Sequence, residues 1–229
     1  MPAPGTVYGG LMRVIVFGAT GMVGQGVLRE CLMDPAVERV LVVGRTPTGI
    51  EHPKLREIEH RNFTDFSAIE DEFAGYDACF FCLGVSSVGI PPEEYERITY
   101  EYTVAAAEPL ARINPDSTFI YVSGAGTDST EQGRTRWARV KGRTENAILA
   151  LPFHGYAFRP GYIQPLHGVT SKTRLYGALY RVVAPLYPLF KRIMPGAVTT
   201  TEQLGRAMLA VARGGAPKKV LGSREINAL

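Results

Sequence analysis

Short apolar runs alternate along the first 160 residues with longer stretches whose apolar residues recur at helical spacing. This alternation is typical of βαβ units and predicts an α/β fold, in which helices cover a parallel sheet. The predicted strands are Arg13–Phe17, Arg39–Val43, Leu55–His60, Ala78–Leu83, Thr118–Val122 and Gly155–Phe158. The predicted helices are Val23–Met33, Phe66–Phe73, Pro92–Ile113 and Arg136–Leu151, and Pro109 is expected to kink or break the third.

The pattern changes after Pro160. Residues 172–192 mix aliphatic and aromatic side chains with five cations and no acid. We interpret this stretch as the wall of a pocket or as core, with contact to a membrane surface and an oligomer contact as less favoured alternatives. Thr201–Arg213 is predicted to be an amphipathic helix and Lys219–Leu221 a short last strand.

Composition is that of a globular protein, with 45% hydrophobic and 21% charged residues, which excludes disordered and collagen-like chains. The charges are divided unevenly. Residues 1–133 hold 9 Lys+Arg and 19 Asp+Glu, whereas residues 134–229 hold 16 and 3. The second part is therefore expected to face an anion, such as a cofactor phosphate, a phospholipid surface or a nucleic acid. No nucleic-acid-binding motif accompanies the basic residues, so that partner is not predicted.

Cysteine usage predicts a reducing compartment, since only Cys31, Cys79 and Cys82 occur. The N-terminus lacks the pattern of a secretory signal, and we predict a cytoplasmic protein. Cys79 and Cys82 have CxxC spacing, yet residues three apart on a strand point to opposite faces. No redox pair is therefore predicted, and the four histidines show no metal-ligand spacing, so no metal site is predicted either.

A glycine-rich turn joins the first predicted strand to the first predicted helix, where residues 18–24 read GATGMVG. Glycines permit backbone torsions and close approaches that a side chain would block. The helix that follows offers unpaired N–H groups and the positive end of its dipole to a pyrophosphate. In this strand–turn–helix context the glycines predict a dinucleotide site, although the spacing is GxxGxxG.

The end of the second predicted strand suggests which dinucleotide is bound. An NAD site usually has an acidic residue there for the ribose hydroxyls, but no acid lies between Arg39 and Ile50. Arg45 takes that position, and an arginine suits a 2′-phosphate through charge-assisted hydrogen bonds. The sequence therefore favours NADP over NAD.

Four further motifs follow in order: CLG (82–84), YVSG (121–124), VKG (140–142) and RPG (159–161). With GATGMVG, this set resembles the atypical or extended short-chain dehydrogenase/reductase superfamily, in particular its Tat-interacting-protein-like, epimerase-like group. The resemblance implies a Rossmann-type doubly wound parallel sheet. We accordingly divide the chain into a loose extension (1–11), an NAD(P)-binding core (12–160) and a smaller substrate-side appendage (161–229). By analogy with the superfamily, a homodimer is also expected.

The resemblance also implies positions for the cofactor. Arg45 would hold the adenosine phosphate, with Asn62 and Phe63 beside the adenine and Leu83 and Gly84 beside the ribose. Pro160, Gly161 and Ile163 would line the nicotinamide. The phosphate loop would consist of Gly18, Thr20, Gly21, Met22, Val23 and Gly24.

In the family that the chain resembles, catalysis uses a serine and a Tyr-x-x-x-Lys pair. Here Ser123 and Lys141 match, with Lys141 expected to hold the nicotinamide ribose as well, but position 137 is tryptophan. The indole N–H is only a hydrogen-bond donor and does not titrate near neutrality, so Trp137 cannot serve as general acid. Tyr162, Tyr102, water or a ribose hydroxyl remain as alternatives.

Two functions are compatible with this sequence. The first is an NADP-dependent oxidoreductase or epimerase that acts on a carbonyl or hydroxyl group of a small-molecule substrate. The second is an NADP(H)-binding regulatory or partner-binding protein with little or no catalysis, which Trp137 favours.

Overall fold

The computed structural model describes residues 10–169 and 196–229. Nine strands lie in these ranges: β1 (Met12–Phe17), β2 (Val37–Gly44), β3 (Leu55–Glu59), β4 (Ala78–Phe81), β5 (Thr118–Val122), β6 (His154–Arg159), β7 (Tyr162–Gln164), β8 (Val198–Thr200) and β9 (Val220–Gly222). The helices described are α1 (Met22–Met33), α2 (Pro92–Glu96), α3 (Tyr102–Ile113), α4 (Arg136–Ala150), α5 (Thr201–Gly214) and α6 (Ser223–Ile226). A 3₁₀ turn spans Glu70–Phe73, and a π-helical turn, Arg97–Glu101, joins α2 to α3.

Seven strands form one sheet in the order β3-β2-β1-β4-β5-β6-β9, and all its pairings are parallel. The chain runs outward from β1 through β2 to β3, and then returns to place β4 on the other side of β1. The order therefore reverses between β1 and β4, which is where ligands bind in open α/β sheets, at the carboxyl ends of the strands. The predicted doubly wound α/β fold is confirmed.

Side chains of β1 alternate between two cores, as the period of a strand requires. Val14 and Val16 pack with α1 and α5 on one face, whereas Ile15 and Phe17 join an aromatic cluster on the other. Both cores are closed to solvent, which explains the nearly continuous apolar runs of the central strands. Cys79 belongs to the second core and Cys82 packs against the first, so the prediction that they face opposite ways is confirmed.

Two local predictions differ from the structure: a helix break at Pro109 and a full helix over residues 66–73. Helix α3 continues through Pro109 to Ile113, because Ala106, Ala107 and Leu110 remain buried against the sheet on both sides of the proline. That burial offsets the missing hydrogen bond, which costs about 3 kcal/mol. Of the helix predicted over residues 66–73, only the 3₁₀ turn forms.

The segment before that turn forms local side-chain hydrogen bonds instead of a helix. Asn62 Oδ1 accepts from the Thr64 N–H at 3.3 Å, and Asp65 Oδ1 accepts from the Ser67 N–H at 2.9 Å. Such bonds offer the backbone an alternative to helical pairing.

The C-terminal residues are divided between two places. Strands β7 and β8 form a separate two-stranded parallel sheet, whereas β9 pairs with β6 as the seventh strand of the main sheet. Helix α5 packs along α1, where Gly26 lies against Thr201 and Gly205 against Glu30. The stretch 172–192 lies outside the described residues. Within 10–169 and 196–229, no helix is long and apolar enough to cross a membrane.

Candidate functional site

The glycine-rich turn brings the end of β1 against the end of β4. Gly18 has a φ of +75°, and a Cβ placed on it would lie 2.6 Å from the Leu83 nitrogen. Its carbonyl accepts a hydrogen bond from the Gly21 N–H at 2.9 Å. Glycine is therefore required at position 18 both for its torsion and for the approach of the neighbouring strand.

Helix α1 begins directly after this turn with an open N-terminus. Its N-cap, Gly21, has no side chain to accept a hydrogen bond, and its first turn contains no acid. A Cβ on Gly24 would lie 2.1 Å from the Gly18 oxygen, so glycine there allows the helix to pack directly on the turn. The first-turn amides and the helix dipole remain available for an anion at this edge, which fits the diphosphate of a dinucleotide.

A cavity of about 470 Å³ lies beside this helix terminus, at the carboxyl edge of the sheet. It is bordered by the loops after β4, β5 and β6 together with one residue each from α1, α4, β5 and β7. The lining consists of Val23, Cys82, Gly84, Val85, Ser86, Val122, Ser123, Gly124, Ala125, Lys141, Pro160, Gly161 and Ile163. Seven residues predicted from the sequence thus meet in one place: Val23, Gly84, Ser123, Lys141, Pro160, Gly161 and Ile163.

The residues predicted for the adenosine end lie along the same edge. Arg45 directly follows β2 and is exposed, and Asn62, after β3, is exposed as well. Phe63 is 2% exposed, and its ring packs against Phe17 and Tyr102 in the second core. Only the backbone of Phe63 is therefore available for the expected adenine contact, because its side chain is already buried.

Ser123, which follows β5, has all its polar groups engaged. Its N–H donates to the Phe158 carbonyl at 2.8 Å, and its own carbonyl accepts from Lys141 Nζ at 2.5 Å. Its hydroxyl lies 2.5 Å from Glu145 Oε1 and 3.1 Å from the Phe158 carbonyl oxygen. Both neighbours are acceptors, so the single hydroxyl proton is directed toward them.

Glu145 is a site residue that sequence reasoning missed. It lies in α4, four residues after Lys141, and is fully buried. Arg159, at the end of β6, pairs with it: Nε donates to Oε1 at 2.9 Å and a terminal guanidinium nitrogen donates to Oε2. The Lys-x-x-x-Glu spacing on a predicted helix was the available signal, since it places both side chains on one helix face.

Lys141 is charged in a largely enclosed position. Burial lowers the pKa of its ammonium group to about 8, and the Glu145 carboxylate opposes that shift. An ammonium has three N–H donors, and one of them goes to Ser123. Lys141 therefore brings both positive charge and further donors to the cavity wall.

Trp137 lies one helical turn before Lys141 and is half-buried. Its ring lies against Gly126, where an added Cβ would come within 3.3 Å of the indole. The described residues that line the cavity do not include Trp137.

The alternative phenols are also placed by the structure. The Tyr162 hydroxyl donates to Gln164 Oε1 at 2.9 Å. Ile163, which lies between these two residues in β7, lines the cavity, and side chains alternate along a strand, so Tyr162 and Gln164 belong to the other face of β7. Tyr102 packs against Phe63 in the second core.

Comparison with known proteins supports the family resemblance that the sequence motifs indicate. Residues 14–136 match the model of the NAD dependent epimerase/dehydratase family. The chain is 29% identical over 155 residues to "Protein FMP52-1, mitochondrial" of Scheffersomyces stipitis, covering 66% of this chain and 67% of that protein. It is 26% identical over 211 residues to "Protein fmp52-2, mitochondrial" of Aspergillus terreus, covering 89% and 90%. Identity to "Protein HTATIP2" of Rattus norvegicus is 27% over 66% of this chain and 62% of that protein.

Solved structures share the fold. An oxidoreductase of the short chain dehydrogenase/reductase family from Burkholderia thailandensis matches with a TM-score of 0.70 at 14% identity, over 95% of this chain and 92% of that one. The Bordetella bronchiseptica enzyme WbmF in complex with NAD+ matches with a TM-score of 0.67 at 16% identity, over 96% and 77%. The resemblance inferred from the motifs is confirmed, whereas the choice between NADP and NAD stays a prediction.

The predicted cytoplasmic location was wrong. The FMP52 relatives from Scheffersomyces stipitis, Aspergillus terreus and Candida albicans are all named mitochondrial. The prediction rested on cysteine usage and on the absence of a secretory-signal pattern, and neither distinguishes the cytoplasm from another reducing compartment.

Proposed function

Because the chain belongs to the NAD dependent epimerase/dehydratase family, we propose that it is an NADP-dependent oxidoreductase acting on a carbonyl or hydroxyl group of a small molecule. One observation carries the proposal: the open N-terminus of α1 borders the same cavity as Ser123 and Lys141. A helix terminus suited to a diphosphate and a polar wall suited to a reacting oxygen are thereby adjacent.

NADP is the proposed cofactor because of the charge at the end of β2. Arg45 is exposed there, and the sequence contains no acid between Arg39 and Ile50. A guanidinium can hold a 2′-phosphate by paired charge-assisted hydrogen bonds, whereas a carboxylate would repel it.

The nicotinamide, when bound, supplies or accepts the hydride. The chain's own residues then orient the reacting oxygen and the ribose. Lys141 brings positive charge and N–H donors to the cavity wall and is the residue we assign to the ribose hydroxyls. Pro160, Gly161 and Ile163 add mainly apolar surface to the cavity lining, which would help to keep water from the reacting atoms.

A second function is supported by Trp137. The residue at the position of the family's tyrosine cannot exchange a proton, and its indole packs on Gly126. A protein with this site could bind NADP(H) tightly and turn over little, and so act as a regulator that responds to the coenzyme.

The discriminating experiment combines binding and turnover. Purified protein is titrated with NADPH, NADP, NADH and NAD by calorimetry, and NADPH consumption is then followed across a panel of aldehydes and ketones. We expect micromolar binding with a preference for the phosphorylated coenzymes. Failure of all four to bind folded protein at millimolar concentration would overturn both functions.

Trp137→Tyr tests the missing proton donor. A tyrosine four residues before Lys141 restores a titratable hydroxyl, and general acid catalysis typically contributes on the order of 100-fold or more in rate. We expect NADPH consumption to rise accordingly, with Trp137→Phe as the matched control that shows no gain. Tight binding without turnover in both the native chain and the tyrosine variant would favour the regulatory function over the enzymatic one.

A further inference from the structure

Two residues of α4 hold Ser123 from two sides. Lys141 Nζ donates to its carbonyl at 2.5 Å, and Glu145 Oε1 accepts from its hydroxyl at 2.5 Å. These residues are four apart in α4, so the helix presents a cation and an anion to one residue of the cavity wall. Ser123 is itself only 7% exposed, which leaves its hydroxyl little freedom to turn.

The Glu145 carboxyl group is held by the guanidinium of Arg159. Arg159 donates to both of its oxygens, at 2.9 Å and 3.2 Å from Nε, and its own side chain is largely buried. A buried carboxylate with several charge-assisted donors is compensated, and removing one partner is costly. The Glu145 oxygens are therefore stable acceptors for the Ser123 proton.

From this geometry we propose that Glu145 is a positioning residue: it holds the Ser123 proton away from the cavity, so that Ser123 meets a ligand as a hydrogen-bond acceptor and Lys141 meets it as the donor. The proposal rests on the proposed function and refines its substrate class. A ligand that fits this wall carries a hydroxyl, which donates a hydrogen bond to Ser123 Oγ, beside an acceptor oxygen, which accepts a hydrogen bond from the Lys141 ammonium. A bare ketone satisfies only Lys141.

Glu145 also affects the charge of Lys141. Burial lowers the pKa of the ammonium to about 8, and the carboxylate opposes that shift. Other ionisable groups around this cluster are Cys82 and Tyr121, whose pKa values burial raises so that both stay neutral, and Arg159, which faces Glu145. Without Glu145, Lys141 would lose its proton at a lower pH.

The test follows Lys141 directly. Protein labelled with ¹³C-lysine contains six lysines, and Lys141→Arg assigns the relevant Cε signal. We expect its titration midpoint near pH 8 in the native chain and lower, by on the order of one pH unit, in Glu145→Gln. The matched control is Glu30→Gln, since Glu30 is also a buried glutamate held by arginines, but on α1. It should leave the midpoint unchanged.

An unchanged midpoint in folded Glu145→Gln overturns the part of the proposal that makes Lys141 the charged donor of the pair. The serine proton is followed by a second measurement, which needs only the native chain: a downfield, slowly exchanging hydroxyl proton, absent from Ser123→Ala, is expected for a short bond to a carboxylate. Its absence from the native spectrum overturns the proposal. NADPH binding is recorded on the same samples. Failure of the native chain to bind NADPH would refute the proposed function, whereas the lysine titration tests the role of Glu145 independently.

Discussion

Replacing Gly24 by alanine is the most direct test of whether the packing of α1 on the glycine-rich turn shapes the cofactor site. The added Cβ would lie 2.1 Å from the Gly18 oxygen and 2.6 Å from its carbonyl carbon, both backbone atoms. Turn and helix must separate by nearly 1 Å before that contact reaches even 3.0 Å. Overpacking of this kind costs about 3 kcal/mol, and the better helix propensity of alanine returns about 1 kcal/mol. We therefore expect a net loss of about 2 kcal/mol in the free energy of unfolding.

The same displacement should weaken coenzyme binding, because the first-turn amides of α1 move away from the diphosphate. Losing one hydrogen bond to a charged group costs about 1.5–3 kcal/mol, which corresponds to at least about a tenfold loss of affinity. A stability of 5–15 kcal/mol, usual for a domain, leaves the variant folded, so both effects can be measured on one sample.

Urea unfolding gives the first quantity and NADPH fluorescence titration the second. The matched control is Gly214→Ala, at the last residue of α5, where an added Cβ meets nothing within 4 Å. We expect that control to retain native stability and affinity. If Gly24→Ala matched it in both measurements, the close packing of α1 on the turn would not be what shapes the site.

Two further predictions concern charge. Arg45→Asp should shift coenzyme preference from NADP toward NAD, because a carboxylate repels the 2′-phosphate and accepts from ribose hydroxyls; calorimetric affinities for both would check this, and an unchanged ratio would remove Arg45 from the site. Asp34 ties α1 to α5 through Arg213. Burial, the largest single effect, raises the pKa of Asp34, but the hydrogen bonds from Arg213 and the Ala36 N–H, together with the positive charges of Arg213 and Lys54, outweigh it, so the pKa is lowered. The Asp34–Arg213 pair should therefore stabilise the fold at pH values above about 3.9, the pKa of an aspartate in the unfolded chain. This contribution should be lost as the pH falls through the lower pKa that Asp34 has in the folded protein. Asp34→Asn should flatten this part of the acid unfolding curve, and an identical pH dependence would show that the ion pair contributes nothing.

The sequence by itself determined the architecture of this protein, since apolar runs at strand length and glycines at a strand–helix junction are local signals with few alternative explanations. Strand β5 and the start of α4 lie where the apolar pattern predicts them, and the glycine motif indicated the cofactor edge before any contact was known. Local signals also misled. Pro109 predicted a break that burial on both sides of it prevents.

Only the tertiary structure decided which polar groups face each other. Ser123 directly follows β5, Glu145 lies in α4 and Arg159 is the last residue of β6. Nothing in their spacing says that one buried carboxylate accepts hydrogen bonds from both the serine hydroxyl and the guanidinium. Hydrogen bonds and charge pairing act over a few ångströms in space, and parallel strands bring residues tens of positions apart to the same edge. Periodicity along the chain therefore predicts where the site lies, whereas the direction of each donor within it is set by packing.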